Sequence, residues 1–262
     1  MLGLGNMGGA LAEGIIRNNV ANARDISVTG RGKAENLVNA AKLGAKVCKS
    51  NEDAVRTADI VLLCMKKNDM EALLSELGGN LVGRTVIFVA AGETLSHVES
   101  MASYAGVVSA MAGLEGIKTN NAHSGLCFGV SASERDMRLA EGIFGSFGTY
   151  EWIHEENRAS FTALVASIEA IAMKFADLLS GAAAKFGVEK GYAEQLISQA
   201  FLSSSVYCLT GEKTAAEISE EVACKGGLAD AGLKKAESLG LGATLEAIVQ
   251  TMLSRGKEME KK

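Results

Sequence analysis

Six residues at the start of the chain, Gly3-Leu4-Gly5-Asn6-Met7-Gly8, have the G-x-G-x-x-G spacing of a turn that can hold a diphosphate. The first glycine allows a sharp turn out of a strand, the second lets the backbone come close to the phosphates, and the third lets the following helix pack tightly. The run Gly9-Ala10-Leu11-Ala12-Glu13-Gly14-Ile15-Ile16 reads as that helix, whose first N–H groups face the negative charge. A second stretch selects among nucleotides. Where an NAD-binding chain places Asp or Glu to accept bonds from the ribose 2′-OH, this one has Thr29-Gly30-Arg31-Gly32-Lys33. A hydroxyl and two cations suit a 2′-phosphate, so NADP(H) is expected and NAD(H) is the less favoured coenzyme.

Residues in these roles need a parallel α/β sheet behind them, and the next segments alternate as such a sheet requires. Ile26-Ser27-Val28-Thr29 reads as a short strand and 34–43 as a helix. The near-continuous apolar runs Asp59-Ile60-Val61-Leu62-Leu63-Cys64-Met65 and Thr85-Val86-Ile87-Phe88-Val89-Ala90 read as strands buried on both faces. A helix at 70–77 lies between them, and Gly106-Val107-Val108-Ser109-Ala110-Met111 is a further strand. The expected fold is an N-terminal doubly wound parallel sheet of Rossmann type. Only Met1 and Leu2 precede the glycines, so the central strand of about five residues is mostly missing from the sequence. Four or five buried apolar side chains contribute on the order of 10 kcal/mol, and a chain extended by a few apolar residues is expected to be more stable.

From Asn157 onward strand-like runs disappear. Phe161, Leu164, Ile168, Ile171 and Phe175 recur at three- and four-residue spacing within 159–186, and further helices are expected at 190–209, 214–223, 228–239 and 243–257. The chain therefore divides at about 156/157 into a dinucleotide-binding domain (1–156) and an all-helical substrate and dimerisation domain (157–262). A net charge of -5 and the lack of a basic patch argue against nucleic acid as a partner. No apolar run is long enough to span a membrane, and no secretory leader is evident, so a cytoplasmic location is expected. Five cysteines without C-x-x-C pairing and three scattered histidines (His97, His123, His154) predict no disulfide framework and no metal site. The chain has no proline, where about 13 are expected for its length.

The order of several short motifs resembles the pyrroline-5-carboxylate reductase family across nearly the whole chain. The matching landmarks are Gly3 to Gly8, Asn51 in Ser50-Asn51-Glu52-Asp53-Ala54-Val55, Lys66 in Cys64-Met65-Lys66, and Ala90-Ala91-Gly92-Glu93-Thr94. Thr162-Ala163-Leu164, Thr210-Gly211-Glu212 and Gly226-Gly227 continue the order. The resemblance implies reduction of a five-membered cyclic imine carboxylate to proline with a nicotinamide coenzyme, by a dimer with interlocked C-terminal helices. It places coenzyme contacts at Gly3, Leu4, Gly5, Asn6, Met7, Gly8, Thr29, Gly30, Arg31, Lys33, Asn51, Met65, Lys66, Ala90, Ala91 and Gly92, and substrate contacts at Ser167, Gly226 and Gly227.

The departures from the family pattern fall in the substrate half. Met111-Ala112-Gly113 stands for Met-Pro-Asn, and the Ser-Gly-Ser-Gly-Pro-Ala-Tyr helix start is Val165-Ala166-Ser167-Ile168-Glu169-Ala170-Ile171. The Ser-Pro-Gly-Gly-Thr-Thr loop is Cys224-Lys225-Gly226-Gly227-Leu228-Ala229, without either threonine. Backbone N–H groups at Gly226 and Gly227, with Lys225 nearby, remain as a cradle for a carboxylate. No side chain is assigned as catalytic, because a protonated imine carbon is already electrophilic and needs mainly a hydride held about 3 to 3.5 Å away. Two other readings compete with this one. Lys174 and Asp177, three apart on one helix, are similar to the Lys-x-x-Asn of β-hydroxyacid dehydrogenases, where the lysine is the acid/base. The altered substrate loop also fits a degenerate paralogue that binds NADP(H) and turns nothing over.

Overall fold

The computed structural model of the chain describes residues 1–30 and 34–261. The glycine-rich turn leads directly into α1 (Asn6–Arg17), and β1 (Ser27–Val28), α2 (Ala34–Lys42), β2 (Lys46–Val47) and α3 (Asn51–Val55) follow. Next come β3 (Ile60–Leu63), α4 (Lys67–Leu77), β4 (Thr85–Phe88), α5 (Leu95–Met101) and β5 (Gly106–Met111). The β3-β4-β5 ladder is parallel, as the apolar runs predict. Its side chains alternate between two cores. Leu62, Ile87 and Val108 face the α1 side with Leu11 and Ile15, while Val61, Leu63, Val86, Phe88 and Val107 face Met70, Leu74, Leu77 and Val98. Burial on both faces is what makes these strands read as continuous hydrophobic runs.

The central position is filled by very little chain. Leu2 forms parallel bridges to both Thr29 and Leu63. Its N–H donates to the Leu62 carbonyl at 2.8 Å, its carbonyl accepts from Cys64 N–H at 2.8 Å, and Gly3 N–H donates to the Thr29 carbonyl at 3.0 Å. The expected first strand is thus reduced to one doubly bridged residue, which joins the β1-β2 pair to the larger sheet.

The sheet then continues beyond what the sequence patterns predict. After α6 (Leu114–Thr119), β6 (Ala122–Phe128) pairs antiparallel with β5, and after α7 (Glu134–Gly145), β7 (Gly148–Trp152) pairs parallel with β6. The ordering of α7 depends on one buried carboxylate. Asp136 closes a capping box with Ser133 and also accepts a hydrogen bond from the buried Thr85 hydroxyl of β4. Burial alone would raise its pKa, but hydrogen bonds from Ser133 and Thr85 outweigh it and hold the group below its ordinary 3.8.

The chain forms two compact units, residues 1–167 with 252–262, and residues 168–251. The change from sheet to helices comes earlier, near 156/157. The first unit closes with α8 (Arg158–Thr162) and a π-helical turn at Ala163–Ser167. The second contains α9 (Ile168–Ala184), α10 (Lys190–Leu209), α11 (Ala215–Val222) and α12 (Leu228–Ser238). It ends in the first part of α13 (Leu241–Lys261), whose last residues belong to the first unit. Within the second unit α9 packs on α10, yet Leu178, Leu179, Leu196, Leu202 and Val206 stay exposed. Among the described residues no helix is long and apolar enough to cross a membrane.

Asp136→Ala should lower unfolding stability by about 2 to 4 kcal/mol, because it removes a buried acceptor and leaves Thr85 unpaired. The folded pKa is depressed, so the contribution of Asp136 is present above pH 3.8 and is lost as pH falls through the folded value. Urea titrations of both proteins at pH 7 and at successively lower pH below 3.8 should show the gap narrowing as pH falls. An equal gap throughout would assign the loss to packing instead.

Candidate active site

The carboxyl ends of the Leu2 bridge, β1, β3 and β4 bring most of the candidate coenzyme residues to one edge of the first unit. Gly3 has φ +88, and a side chain there would meet the Cys64 carbonyl at 2.8 Å, so this turn requires glycine. Gly8 lies so close to the strand that a Cβ would be 2.0 Å from the Gly3 carbonyl oxygen. Gly5 differs from both, since a Cβ there has nothing within 4 Å. The first helical hydrogen bond of α1 runs from Gly9 N–H to the Gly5 carbonyl at 2.9 Å. The amides of Asn6, Met7 and Gly8 are therefore without intrahelical acceptors. Gly5 caps the helix with no side-chain bond, and no acidic residue lies in its first turn. Free donors, a favourable dipole and open space beside Gly5 fit a diphosphate. Cys64, beneath this loop, has its thiol pKa pushed up to about 12 by burial, so it packs rather than reacts.

Beside this loop, at the end of β1, the Thr29 hydroxyl donates to Asn51 Oδ1 at 2.7 Å. Asn51 Nδ2 in turn donates to both carboxylate oxygens of Glu76, at 3.1 and 3.3 Å. Gly30 passes close to Leu4, with a Cβ position 2.8 Å from its amide nitrogen. Arg31 and Lys33 lie outside the described residues. Met65 and Lys66 form the turn from β3 into α4, with Lys66 as the helix cap.

Three charged groups, of which the motifs reveal only Glu93, hold the loop after β4. Gly92 has φ +75, its carbonyl accepts from Lys67 Nζ at 2.8 Å, and Met259 of α13 covers its Cα. The next carbonyl, that of Glu93, accepts from Arg158 Nη1. The Glu93 carboxylate is fully buried and binds Thr94 N–H at 2.9 Å and His97 Nδ1 at 2.8 Å. Arg158 is also buried, with its guanidinium over the Phe88 ring. Burial lowers its pKa, and Glu155, Glu260, Cys127 and Glu93 oppose that shift. The loop Ala90-Ala91-Gly92 is thus braced from below by two cations. Glu93 belongs to the Ala90–Thr94 landmark and is the one sequence signal for this cluster.

The substrate candidates are arranged differently from the sequence expectation. Ser167 is the exposed last residue of the π-helical turn, with its hydroxyl 3.4 Å from the Thr162 carbonyl. Gly226 N–H donates to Asp230 Oδ2 at 2.9 Å, and Gly227 N–H to the Cys224 carbonyl at 2.8 Å. Both amides expected to cradle a carboxylate are therefore engaged by their own loop. The pKa of Asp230 is lowered by bonds from Lys234 and the Gly226 amide. Ala231 N–H closes the first turn of α12 on the Gly227 carbonyl, so the Leu228, Ala229 and Asp230 amides are the ones without an intrahelical acceptor. Lys174 does not have the buried setting that an acid/base lysine needs, for its side chain is 62% exposed and bonds Asp177 at 2.7 Å. Asp177 also binds Lys190 at 2.8 Å, and the two lysines bring its pKa down to about 2.

Residues 1–92 match the family described as NADP oxidoreductase coenzyme F420-dependent, and residues 155–259 match pyrroline-5-carboxylate reductase dimerisation. A pyrroline-5-carboxylate reductase of Methanosarcina acetivorans is 27% identical over 100% of this chain and 97% of its own length. The structure of the Coxiella burnetii pyrroline-5-carboxylate reductase superposes with TM-score 0.86 at 26% identity, covering 100% of this chain and 97% of that one. The Plasmodium falciparum pyrroline carboxylate reductase, solved with NADP bound, has the same fold, with TM-score 0.90 at 22% identity over 99% and 96% of the two chains. Its curated and solved relatives place the chain among the NAD(P)H-dependent oxidoreductases that act on C=N bonds. Within that class, the chain belongs to the pyrroline-5-carboxylate reductase family.

Gly5→Ala tests the diphosphate assignment without disturbing the fold. The added methyl meets no protein atom within 4 Å, so the melting temperature should change little. Affinity for NADPH, measured by calorimetry, should fall about tenfold or more, because the methyl fills the approach to the amides. Unchanged affinity would remove the loop from the coenzyme site.

Proposed function

We propose that this chain reduces a cyclic imine carboxylate of the pyrroline-5-carboxylate type, with NADPH as the reductant. The observation that carries the proposal is the uncapped N-terminus of α1, opening on free space beside Gly5 at the carboxyl edge of the sheet. The match of 155–259 to pyrroline-5-carboxylate reductase dimerisation, and that of 1–92 to NADP oxidoreductases, support the same reading.

When bound, the dihydronicotinamide supplies a hydride to the imine carbon. The chain's own residues bind and orient. Amides of Asn6, Met7 and Gly8 take the diphosphate charge, and Thr29 with Asn51 meets the adenosine ribose. Lys67 and Arg158 hold the carbonyls of Gly92 and Glu93, which fixes the peptide planes of the Ala90–Gly92 loop, taken here as the nicotinamide end of the coenzyme site. Protonation of the imine needs no dedicated side chain, since water can exchange a proton at nitrogen. For the substrate carboxylate, the free first-turn amides of α12 at Leu228 and Ala229 are better donors than Gly226 and Gly227, whose N–H groups are already used. Without the family's threonine hydroxyls, each lost hydrogen bond to a charged group costs about 1.5 to 3 kcal/mol, so weak substrate binding is part of this proposal. Assembly as a homodimer or larger homo-oligomer belongs to it too, supported by the apolar side chains left uncovered on the second unit, such as Leu228 at 97% exposure.

NADPH oxidation should accelerate with pyrroline-5-carboxylate, and a 3-hydroxyacid control should give no reduction of NADP+. Lys174→Ala should keep turnover within about twofold, since an exposed ion pair contributes little. Activity with the hydroxyacid that is lost in Lys174→Ala would favour the dehydrogenase reading. Tight NADPH binding with no turnover on a panel of cyclic imines would favour the degenerate paralogue. At the coenzyme's other end, Arg31→Asp should shift preference from NADPH toward NADH, read as the ratio of the two kcat/KM values, and an unchanged ratio would count against Arg31.

A further inference from the structure

The sequence around Thr29 has no carboxylate, yet folding delivers one. Glu76 comes from the far end of α4, 25 residues after Asn51, and its two oxygens lie 3.1 and 3.3 Å from Asn51 Nδ2. Asn51 is in turn fixed by the Thr29 hydroxyl at 2.7 Å. Thr29 follows β1 and its carbonyl accepts from Gly3 N–H, so this three-residue relay stands beside the glycine loop. That is the position at which dinucleotide-binding sheets read the ribose 2′ substituent. We propose that Glu76 is a specificity-determining residue, which weakens recognition of a 2′-phosphate through Asn51 and so lets the chain use NADH beside NADPH. The inference rests on the coenzyme reading above.

Two physical effects act in the same direction. An amide nitrogen has two N–H donors, and Asn51 directs its donation to a carboxylate that a phosphate must displace or share. The carboxylate also places a negative charge near a group that carries nearly two of its own, while a 2′-OH carries none. A 2′-OH is the better fit to this arrangement, because it can donate to Asn51 Oδ1, which keeps a lone pair after accepting from Thr29. Sequence and fold thus oppose one another at this site. The sequence expectation at Arg31 and Lys33 favours a 2′-phosphate, whereas the carboxylate of Glu76 disfavours one.

Glu76 is exposed and packs no core, so the isosteric Glu76→Gln leaves the fold intact. Dissociation constants for NADPH and NADH, measured by titration calorimetry on the wild-type chain and on the variant, give the ratio that decides. Glu76→Gln should tighten NADPH by about threefold to tenfold with NADH nearly unchanged, and raising the salt from 50 to 500 mM should shrink that gain. An unchanged ratio would overturn the proposal. So would an equal shift for both coenzymes, which would make Glu76 only a prop for Asn51. Failure of the wild-type chain to bind either coenzyme would overturn the coenzyme reading itself, and this inference with it.

Discussion

Everything at the coenzyme edge depends on the main-chain hydrogen bonds of Leu2 and Gly3. Leu2 donates to Leu62 and accepts from Cys64 on one side, and Gly3 donates to Thr29 on the other. Each such bond is worth only about 1 kcal/mol net. Together they set the height and direction of the glycine turn, since the next residues have no other strand to follow. From that point the close approach of Gly8 to the Gly3 carbonyl fixes where α1 begins, and hence where its free amides point. The same bridges hold Thr29 beside the turn, so the proposed diphosphate and ribose contacts are positioned by one element.

The loop after β4 is held by a different kind of force. It has no regular ladder, and its carbonyls at Gly92 and Glu93 are tied by Lys67 and Arg158. A buried arginine costs desolvation, which the Phe88 ring and the Glu93 carbonyl partly offset. Charge-assisted bonds to carbonyls orient peptide dipoles more firmly than solvent would. Met259, from the end of the chain, closes the outer side of Gly92. Rigid main chain at this place suits hydride chemistry, which asks for a fixed plane more than for an acid or base.

The glycine turn, β3, β4 and β5 are legible in the sequence because burial on both faces leaves uninterrupted apolar runs, and the helices after 157 because their apolar residues recur at helical spacing. β6 is not, since Ala122-His123-Ser124-Gly125 carries no apolar alternation and is placed in the sheet by its pairing with β5 and β7. The π-helical turn at Ala163–Ser167 has no sequence signal, because its residues suit an α-helix equally well. Within the candidate site, main-chain geometry could be anticipated from glycine spacing, whereas side-chain partners could not. Asn51 meets Glu76 and Glu93 meets Arg158 across 25 and 65 residues, distances that only the fold closes. The local bonding of Gly226 and Gly227 was equally hidden, as Asp230 one turn on and the Cys224 carbonyl take those amides.

Anion binding by the first turn of α1 is the proposed feature on which the coenzyme site rests. A crystal structure of the chain grown with NADPH tests it most directly. Phosphate oxygens should lie about 2.7 to 3.2 Å from the amide nitrogens of Asn6, Met7 or Gly8, with the loop at Gly3–Gly8 unmoved. NADPH bound elsewhere, with those amides facing only solvent, would contradict it.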